Sequence, residues 1–239
     1  MNLQIENKTA LITGSTKGIG FAIARLLAEE GASVILNGRS EASVKAAVAQ
    51  IGRRARGADI LVNNAGIFEP KPFAEIPDAD WERFYQVNVL SGVRLTRAYL
   101  PGMLARNWGR VVFISSESGV QIPEEMIHYG MTKAAELALV NGIARLTKGT
   151  GVTVNAVLPG TTSSEGVTEF VGQLAANARQ TPAKFEQEFF RSVRPTSLLQ
   201  RFATADEVAA MVAYTCSGAA SATNGAALRV DGGVVRMTI

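Results

Sequence analysis

Apolar residues along this chain fall into two rhythms. Short apolar-rich runs occupy residues 8–13, 33–37, 59–62, 111–114, 152–158 and 227–230, and each reads as a strand, with those at 8–13, 59–62 and 111–114 buried. Elsewhere apolar residues recur every three or four positions, as at Phe21, Ala24, Leu27 and Ala28, which is a helical period. The same pattern predicts helices over 41–51, from about 78–80 through Trp81, Phe84 and Val87, and from Tyr129 to Leu146. A capping signal, Thr204-Ala205-Asp206-Glu207, opens one more. Strands that alternate with helices predict an α/β fold with a doubly wound parallel sheet. No linker or repeat divides residues 1–239, so a single domain is expected. One stretch breaks the rhythm. Residues 161–202 hold Pro182, Pro195 and two helical patches, 167–174 and 183–193, the form of a lid over a site.

Composition narrows the class without changing that picture. The 239 residues, 47% apolar and 19% charged, suffice for one sizeable core of an ordinary globular protein. The formal charge is +3, and the one basic cluster, Arg53-Arg54-Ala55-Arg56, lacks interleaved aromatics. It reads as a solvated loop, so no nucleic-acid partner is expected. No apolar run approaches the roughly 18 residues of a membrane span, so no membrane partner is expected either. Glu6 and Lys8 argue against an N-terminal export signal. The single cysteine, Cys216, cannot form an internal disulfide and fits a reducing compartment, so a cytoplasmic location is expected.

The first predicted strand runs into Thr13-Gly14-Ser15-Thr16-Lys17-Gly18-Ile19-Gly20 and then a helix. Glycines there let the backbone approach a pyrophosphate, and free N–H groups and the helix dipole favour its charge. Their positions, 14, 18 and 20, do not follow the G-x-G-x-x-G spacing. In a dinucleotide-binding fold the residue after the second strand meets the adenosine ribose, where a carboxylate would repel a 2′-phosphate. Here the sequence reads Asn37-Gly38-Arg39-Ser40. Arg39, with Lys17 nearby, suits a 2′-phosphate, which favours NADP(H) over NAD(H). The strand at 59–62 ends in Asn63-Asn64-Ala65-Gly66. Asn88, between Val87 and Val89, needs a partner, either as a satisfied structural amide or as part of a site.

Ser115 and Ser116 follow the apolar run 111–114; Tyr129 comes thirteen residues after Ser116, and Lys133 four after Tyr129. Helix positions four apart share a face. A phenol and an ammonium therefore lie side by side, with Ser116 at the end of a neighbouring strand. That set can pass a proton to or from a carbonyl or alcohol. His128, the one histidine, suits a pocket wall or a hydrogen-bonded structural role better than a proton relay. Ile122, Met126 and Ile127 are expected to shape an apolar pocket. Phe170, Phe185, Phe189 and Phe190 are expected to form the lid's own small core in preference to a substrate surface.

Together, Thr13-Gly14-x-x-x-Gly18-Ile19-Gly20, Asn63-Asn64-Ala65-Gly66, Asn88, Ser116, Tyr129-x-x-x-Lys133 and Pro159-Gly160 resemble the short-chain dehydrogenase/reductases of the compact type. General features resemble the 3-oxoacyl-carrier-protein reductase group. The resemblance implies a Rossmann-like three-layer sandwich and hydride transfer between NADP(H) and a carbonyl or secondary alcohol. Tyr129 would be the general acid in reduction and the base in oxidation. Free tyrosine titrates near about 10, so work near pH 7 needs the phenolate favoured by roughly 4 kcal/mol. Lys133 and the oxidised nicotinamide are the implied sources. By the same resemblance Lys133 binds the nicotinamide ribose, Ser116 steadies the substrate oxygen, and Asn88 holds a water that relays protons to Lys133. Gly14, Ser15, Thr16, Lys17, Gly18, Ile19, Gly20, Asn64, Ala65, Gly66, Pro159, Gly160 and Thr162 would line the cofactor, with Asn64, Ala65 and Gly66 on the adenosine side and Thr162 at the nicotinamide amide. No metal is implied. Homo-oligomers, tetramers or dimers, are implied through the helix of Tyr129, where Ala134, Ala135 and Ala138 allow close packing.

One stretch departs from that family. Between the second strand and Asp59 it has a further strand, ending in an Asp that holds the adenine, and a helix. Residues 40–58 number only 19 and contain no Asp. A parallel crossover alone takes about a dozen residues. Three explanations compete: an unrecorded mobile segment, ranked first; a true deletion that leaves the second strand as a sheet edge; or a relic that no longer binds cofactor. The last defines an alternative function, a non-catalytic binding or scaffold protein.

Overall fold

The computed structural model describes residues 2–38, 40, 58–163 and 181–237. Arg39, the helix at 41–51, Arg53, Arg54, Arg56, Phe170 and the lid patch at 167–174 lie outside the described residues, as does the chain geometry between Ile51 and Ala58.

Strand β1 (Thr9–Ile12) leads through the glycine-rich turn into helix α1 (Gly18–Glu29), followed by β2 (Ser33–Leu36) and β3 (Ile60–Asn63). Helix α2 (Asp78–Phe84) widens into a π-helical turn (Tyr85–Leu90) and resumes as α3 (Ser91–Ala105). Then come β4 (Gly109–Ile114), α4 (Ile127–Arg145) and β5 (Val152–Pro159). A short strand β6 (Thr162–Ser163), helix α5 (Pro182–Ser192) and β7 (Ala203–Thr204) form the excursion, and α6 (Ala205–Cys216) and β8 (Ala227–Val230) close the fold. The predicted capping box is present: Thr204 Oγ1 accepts from Glu207 N, and Glu207 Oε2 accepts from Thr204 N.

The six strands of the main sheet run in the order β2-β1-β3-β4-β5-β8, all parallel. Alternate strand residues feed two separate cores. Ile12, Ile60, Val62, Val112, Ile114 and Val157 pack with Ile23 and Leu27 of α1 and Val208 and Val212 of α6. Leu11, Leu61, Val111, Phe113, Val154 and Leu158 pack with Leu100 and Met103 of α3 and Val140 of α4. Burial on both faces explains the apolar runs of β1, β3, β4 and β5, whereas β2 and β8 at the two ends of the sheet are partly exposed. It makes a three-layer α/β sandwich.

Strand β6 pairs with β7, Thr162 opposite Ala203, so the excursion leaves and rejoins the body through one two-stranded clamp. The order of strand addition reverses about β1: β2 lies on one side of it and β3 on the other. Ligands of open parallel sheets bind at such a switch point, outside the carboxyl ends of the strands. Among the described residues β2 has no neighbour on its outer side.

Candidate active site

The carboxyl end of β1 is built from backbone. Gly14 sits at φ +61°, where a side chain would be strained, and a Cβ on Gly20 would fall 2.5 Å from both Asn64 Nδ2 and Gly14 O. Thr13 Oγ1 accepts from the backbone N–H of Asn64 and of Ala65, each at 2.9 Å. Asn64 Nδ2 donates to Thr13 O at 2.9 Å. These bonds lock the turn after β1 to the turn after β3. The first turn of α1 holds no acidic residue, so nothing there offsets the dipole's positive end. That turn fits a pyrophosphate. Ser15, among the expected cofactor contacts, has its side chain committed to the turn. It is fully buried, and its hydroxyl donates to Ile12 O at 2.7 Å and accepts from Asn37 N at 2.9 Å. Its side chain shapes the turn, leaving only its backbone for a ligand.

The ends of β4 and β5 are built from side chains. Ser116, Tyr129 and Lys133 all line one cleft of about 360 Å³, together with Ile19, Asn64, Gly66, Pro159, Gly160 and Thr162. Lys133 Nζ donates to Ile114 O at 2.9 Å and to both oxygens of Glu136, at 3.0 and 3.2 Å. Both side chains are almost wholly buried. Burial lifts the Glu136 carboxyl to about 7, against the pull of Lys133. Burial alone would push Lys133 down, but the charges of Glu136 and Tyr129 outweigh it and hold the ammonium above its ordinary value.

Tyr129 departs from expectation in sign. Burial pushes its phenol up, and Glu117 and Glu136 push the same way. Lys133 and the Ser116 hydroxyl pull it down without winning. The expected downward pull from Lys133 is present but is outweighed by burial of the phenol, with Glu117 and Glu136 adding smaller pushes upward.

The Asn88 amide is satisfied by the fold: its Oδ1 accepts from Ile67 N at 2.8 Å, and its Nδ2 donates to Ile67 O and Thr132 Oγ1, each at 3.0 Å. The side chain is an anchor that ties the cleft wall to α4.

The lid side supplies the remaining wall. Phe185, Phe189, Val193 and Arg194 line the cleft, as do Phe68, Met126 and Phe202. Phe189, Phe190 and Phe202 also stack on one another with ring centres 5.1–5.5 Å apart, and Phe190 is buried among them. Phe189 therefore does both things weighed for these phenylalanines, Phe185 lines the cleft, and Phe190 belongs to the small core. Ile122 lines only a shallower neighbouring depression, and Ile127 is not part of the cleft wall. His128 faces away, fully buried against Phe84 (ring centres 4.1 Å) and Trp81 (5.9 Å). Neither ring nitrogen has a hydrogen-bond partner among the described residues. It is neither a pocket wall nor a bonded histidine, and burial pushes it below its ordinary value.

Three site residues escaped the sequence reading: Glu117, Glu136 and Arg194. Glu117 Oε2 accepts from Ser116 Oγ at 2.5 Å, from Ser118 Oγ at 2.8 Å and from Ser118 N. Arg194 Nε lies 3.7 Å from Glu117 Oε1, and its terminal nitrogens reach Glu125 Oε1 at 3.2 Å. Ser115 donates to Lys133 O at 2.9 Å and only supports α4.

A parallel sheet whose rim joins a glycine-rich turn to a Ser–Tyr–Lys cluster defines a dinucleotide-dependent oxidoreductase scaffold. The chain belongs to the short-chain dehydrogenase/reductase family: residues 8–58 match the profile described as short chain dehydrogenase, and residues 36–235 the related profile described as Enoyl-(Acyl carrier protein) reductase. It is 44% identical to the uncharacterized oxidoreductase YvaG of Bacillus subtilis (strain 168), over 99% of each chain. It is 32% identical to the 3-oxoacyl-acyl-carrier-protein reductase FabG of Aquifex aeolicus (strain VF5), over 98% of this chain and all of that one. Its fold matches L-sorbose reductase from Gluconobacter frateurii, solved with NADPH and L-sorbose, at a TM-score of 0.91 and 29% identity, covering 99% of this chain and 100% of the other.

The alignment with YvaG runs over 261 positions, 22 more than the 239 residues of this chain. Among the described residues no helix is long and apolar enough to cross a membrane.

Proposed function

We propose that this protein is an NADP(H)-dependent carbonyl reductase or alcohol dehydrogenase with Tyr129 as its general acid and base. The observation that carries this reading is the meeting of Ser116, Tyr129 and Lys133 in one cleft beside the glycine-rich turn. The turn from Gly14 to Gly20, with Lys17 exposed in it, would hold the pyrophosphate, and Arg39 the 2′-phosphate. NADP(H), when bound, supplies the hydride and, once oxidised, a positive ring close to the phenol. Tyr129 gives its proton to the substrate oxygen in reduction and takes it back in oxidation. Ser116 donates to the same oxygen as charge grows on it. Lys133, pinned by Glu136 and Ile114 O, keeps a fixed positive charge 5.7 Å from the Tyr129 ring centre. Phe68, Phe185, Phe189 and Phe202 keep water from the reacting atoms.

NADPH binding followed by fluorescence, with NADH alongside and Arg39→Ala as control, tests the cofactor assignment. Tight NADPH binding that weakens in the variant supports it. The shortened stretch 40–58 favours a second reading, a non-catalytic protein on the same scaffold, and no binding of either cofactor at millimolar levels would establish that one. Self-association through Ala134, Ala135 and Ala138 belongs to the same proposal. Size-exclusion chromatography with light scattering would settle it, a monomer counting against it.

A further inference from the structure

We propose that Glu117 selects substrates with a hydroxyl on the carbon next to the reacting carbonyl, an inference that rests on the reductase reading above. A serine hydroxyl has one proton to donate. In this structure the close acceptor of the Ser116 proton is Glu117 Oε2, at 2.5 Å, with the Tyr129 oxygen competing for the same proton. That proton cannot at the same time point at a substrate oxygen. Turning it towards the substrate takes a donor away from a carboxylate whose side chain is only 7% exposed. Leaving such an acceptor short of a bond is costly.

A hydroxyl on the neighbouring carbon removes that conflict. It lies about one hydrogen-bond length from the carbonyl oxygen, the same spacing that separates Ser116 Oγ from Glu117 Oε2. It can donate to Glu117 in place of Ser116, and Ser116 is then free to donate to the carbonyl. A plain ketone offers no such exchange. Ser118 Oγ and N hold the carboxylate in position from one side, and Arg194 Nε from the other at 3.7 Å. Glu117, Ser116, Ser118, Tyr129 and Arg194 all face the same cleft. Glu125, paired with Arg194, gives a second polar point for a further hydroxyl. The two carboxylates disfavour a substrate with its own carboxylate beside the carbonyl, so the class is a neutral hydroxyketone or ketose. The reduction itself moves a hydride from NADPH to the carbonyl carbon and the Tyr129 proton to its oxygen. The adjacent hydroxyl is unchanged.

The test measures kcat/KM for NADPH-dependent reduction of two matched pairs, hydroxyacetone against acetone and 3-hydroxybutanone against butanone. The readout is the hydroxylated-to-plain ratio in the parent enzyme divided by that in a variant, which cancels intrinsic reactivity. Glu117→Ala is expected to lower the ratio by about tenfold or more, the worth of one charged hydrogen bond. Glu117→Gln keeps the shape, guards against misfolding, and lowers it less. Glu124→Gln, on an exposed residue outside the cleft, leaves the ratio as in the parent. Turnover of all four ketones with a ratio equal in parent and both Glu117 variants overturns the inference and leaves the reductase reading standing. No turnover of any of them by NADPH-loaded enzyme overturns both.

Discussion

The two halves of the sheet's carboxyl rim solve different problems with different materials. At the ends of β1 and β3 the contacts run through backbone: Thr13 to the N–H groups of Asn64 and Ala65, Asn64 to Thr13 O, Ser15 to Ile12 O. At the ends of β4 and β5 they run through charged side chains: Ser116 to Glu117, Lys133 to Glu136, Arg194 to Glu117 and Glu125. A phosphate is recognised by N–H groups that any turn of the right shape presents, so that half asks for conformation and little else. Proton transfer asks for particular atoms at particular acidity. Substitutions should therefore separate the halves cleanly.

The largest effect falls on the side-chain half. Tyr129→Phe should lower kcat for carbonyl reduction about a thousandfold or more, within the worth of a general acid. NADPH affinity should stay within about twofold; loss of affinity in step with activity would dissolve the distinction between the halves. Next is Glu136→Gln. Glu136 rests at about 7 in the fold against an ordinary 4.5. A raised carboxyl favours its neutral form, so its contribution to stability is fully present below about pH 4.5 and is lost as the pH rises through about 7. The variant lacks that titration. Denaturant unfolding against pH should show the parent losing on the order of 3 kcal/mol relative to the variant across that window. Removing the charge should also lower the Tyr129 phenol and move the acid limb of alcohol oxidation to lower pH. An unmoved limb would mean that Glu136 only fills space.

On the backbone half, Gly20→Ala puts a methyl against Gly14 O and Asn64 Nδ2. It should cost about 1–3 kcal/mol in unfolding measurements. It should also weaken NADPH binding measurably while leaving the pH profile of bound enzyme alone. The smallest effect concerns His128, which belongs to neither half. Its ordinary value is 6.5, and burial lowers it in the fold, so its contribution is present above 6.5 and is lost as the pH falls through the lower folded value. His128→Phe fills the slot between Trp81 and Phe84 without a titrating group. Thermal melts should show a gain of about 1 kcal/mol at most near neutrality and a widening advantage in acid.

Legibility in the sequence followed the same division. The central strands β1, β3, β4 and β5 were readable because both faces of the sheet are covered there, which turns each into an apolar run. The lid was readable in its bounds because its exit and return are paired strands, Thr162 beside Ala203. Tyr129 and Lys133 were readable because helical spacing alone brings them together. Glu136 left a signal that went unread: it stands three residues after Lys133, on the same helical face, and a buried lysine needs a partner. Glu117 adjoins Ser116, yet adjacency in a chain does not say which way a carboxylate points. Arg194 was beyond reach, since its ion pairs join residues 69 and 77 positions apart, brought together only by the tertiary fold. The direction of the Tyr129 shift was beyond reach for a related reason: burial, its largest cause, is set by packing from distant parts of the chain.

The widened turn at Tyr85–Leu90 has a consequence for how its helix should be counted. A π-helical turn takes up one residue more than an α-helical one. Each residue of a regular helix advances it by about 100°. A helical wheel drawn straight through residues 78–105 therefore goes out of phase halfway along. The Trp81 and Phe84 face, which meets His128, and the Leu100 and Met103 face, which meets the sheet, agree only when one residue between them is left out of the count. Deleting one residue from the turn should leave both faces in place and displace Asn88 alone. The anchor that holds Ile67 against the catalytic helix is in that sense a separable insertion, added to a helix that could run straight without it.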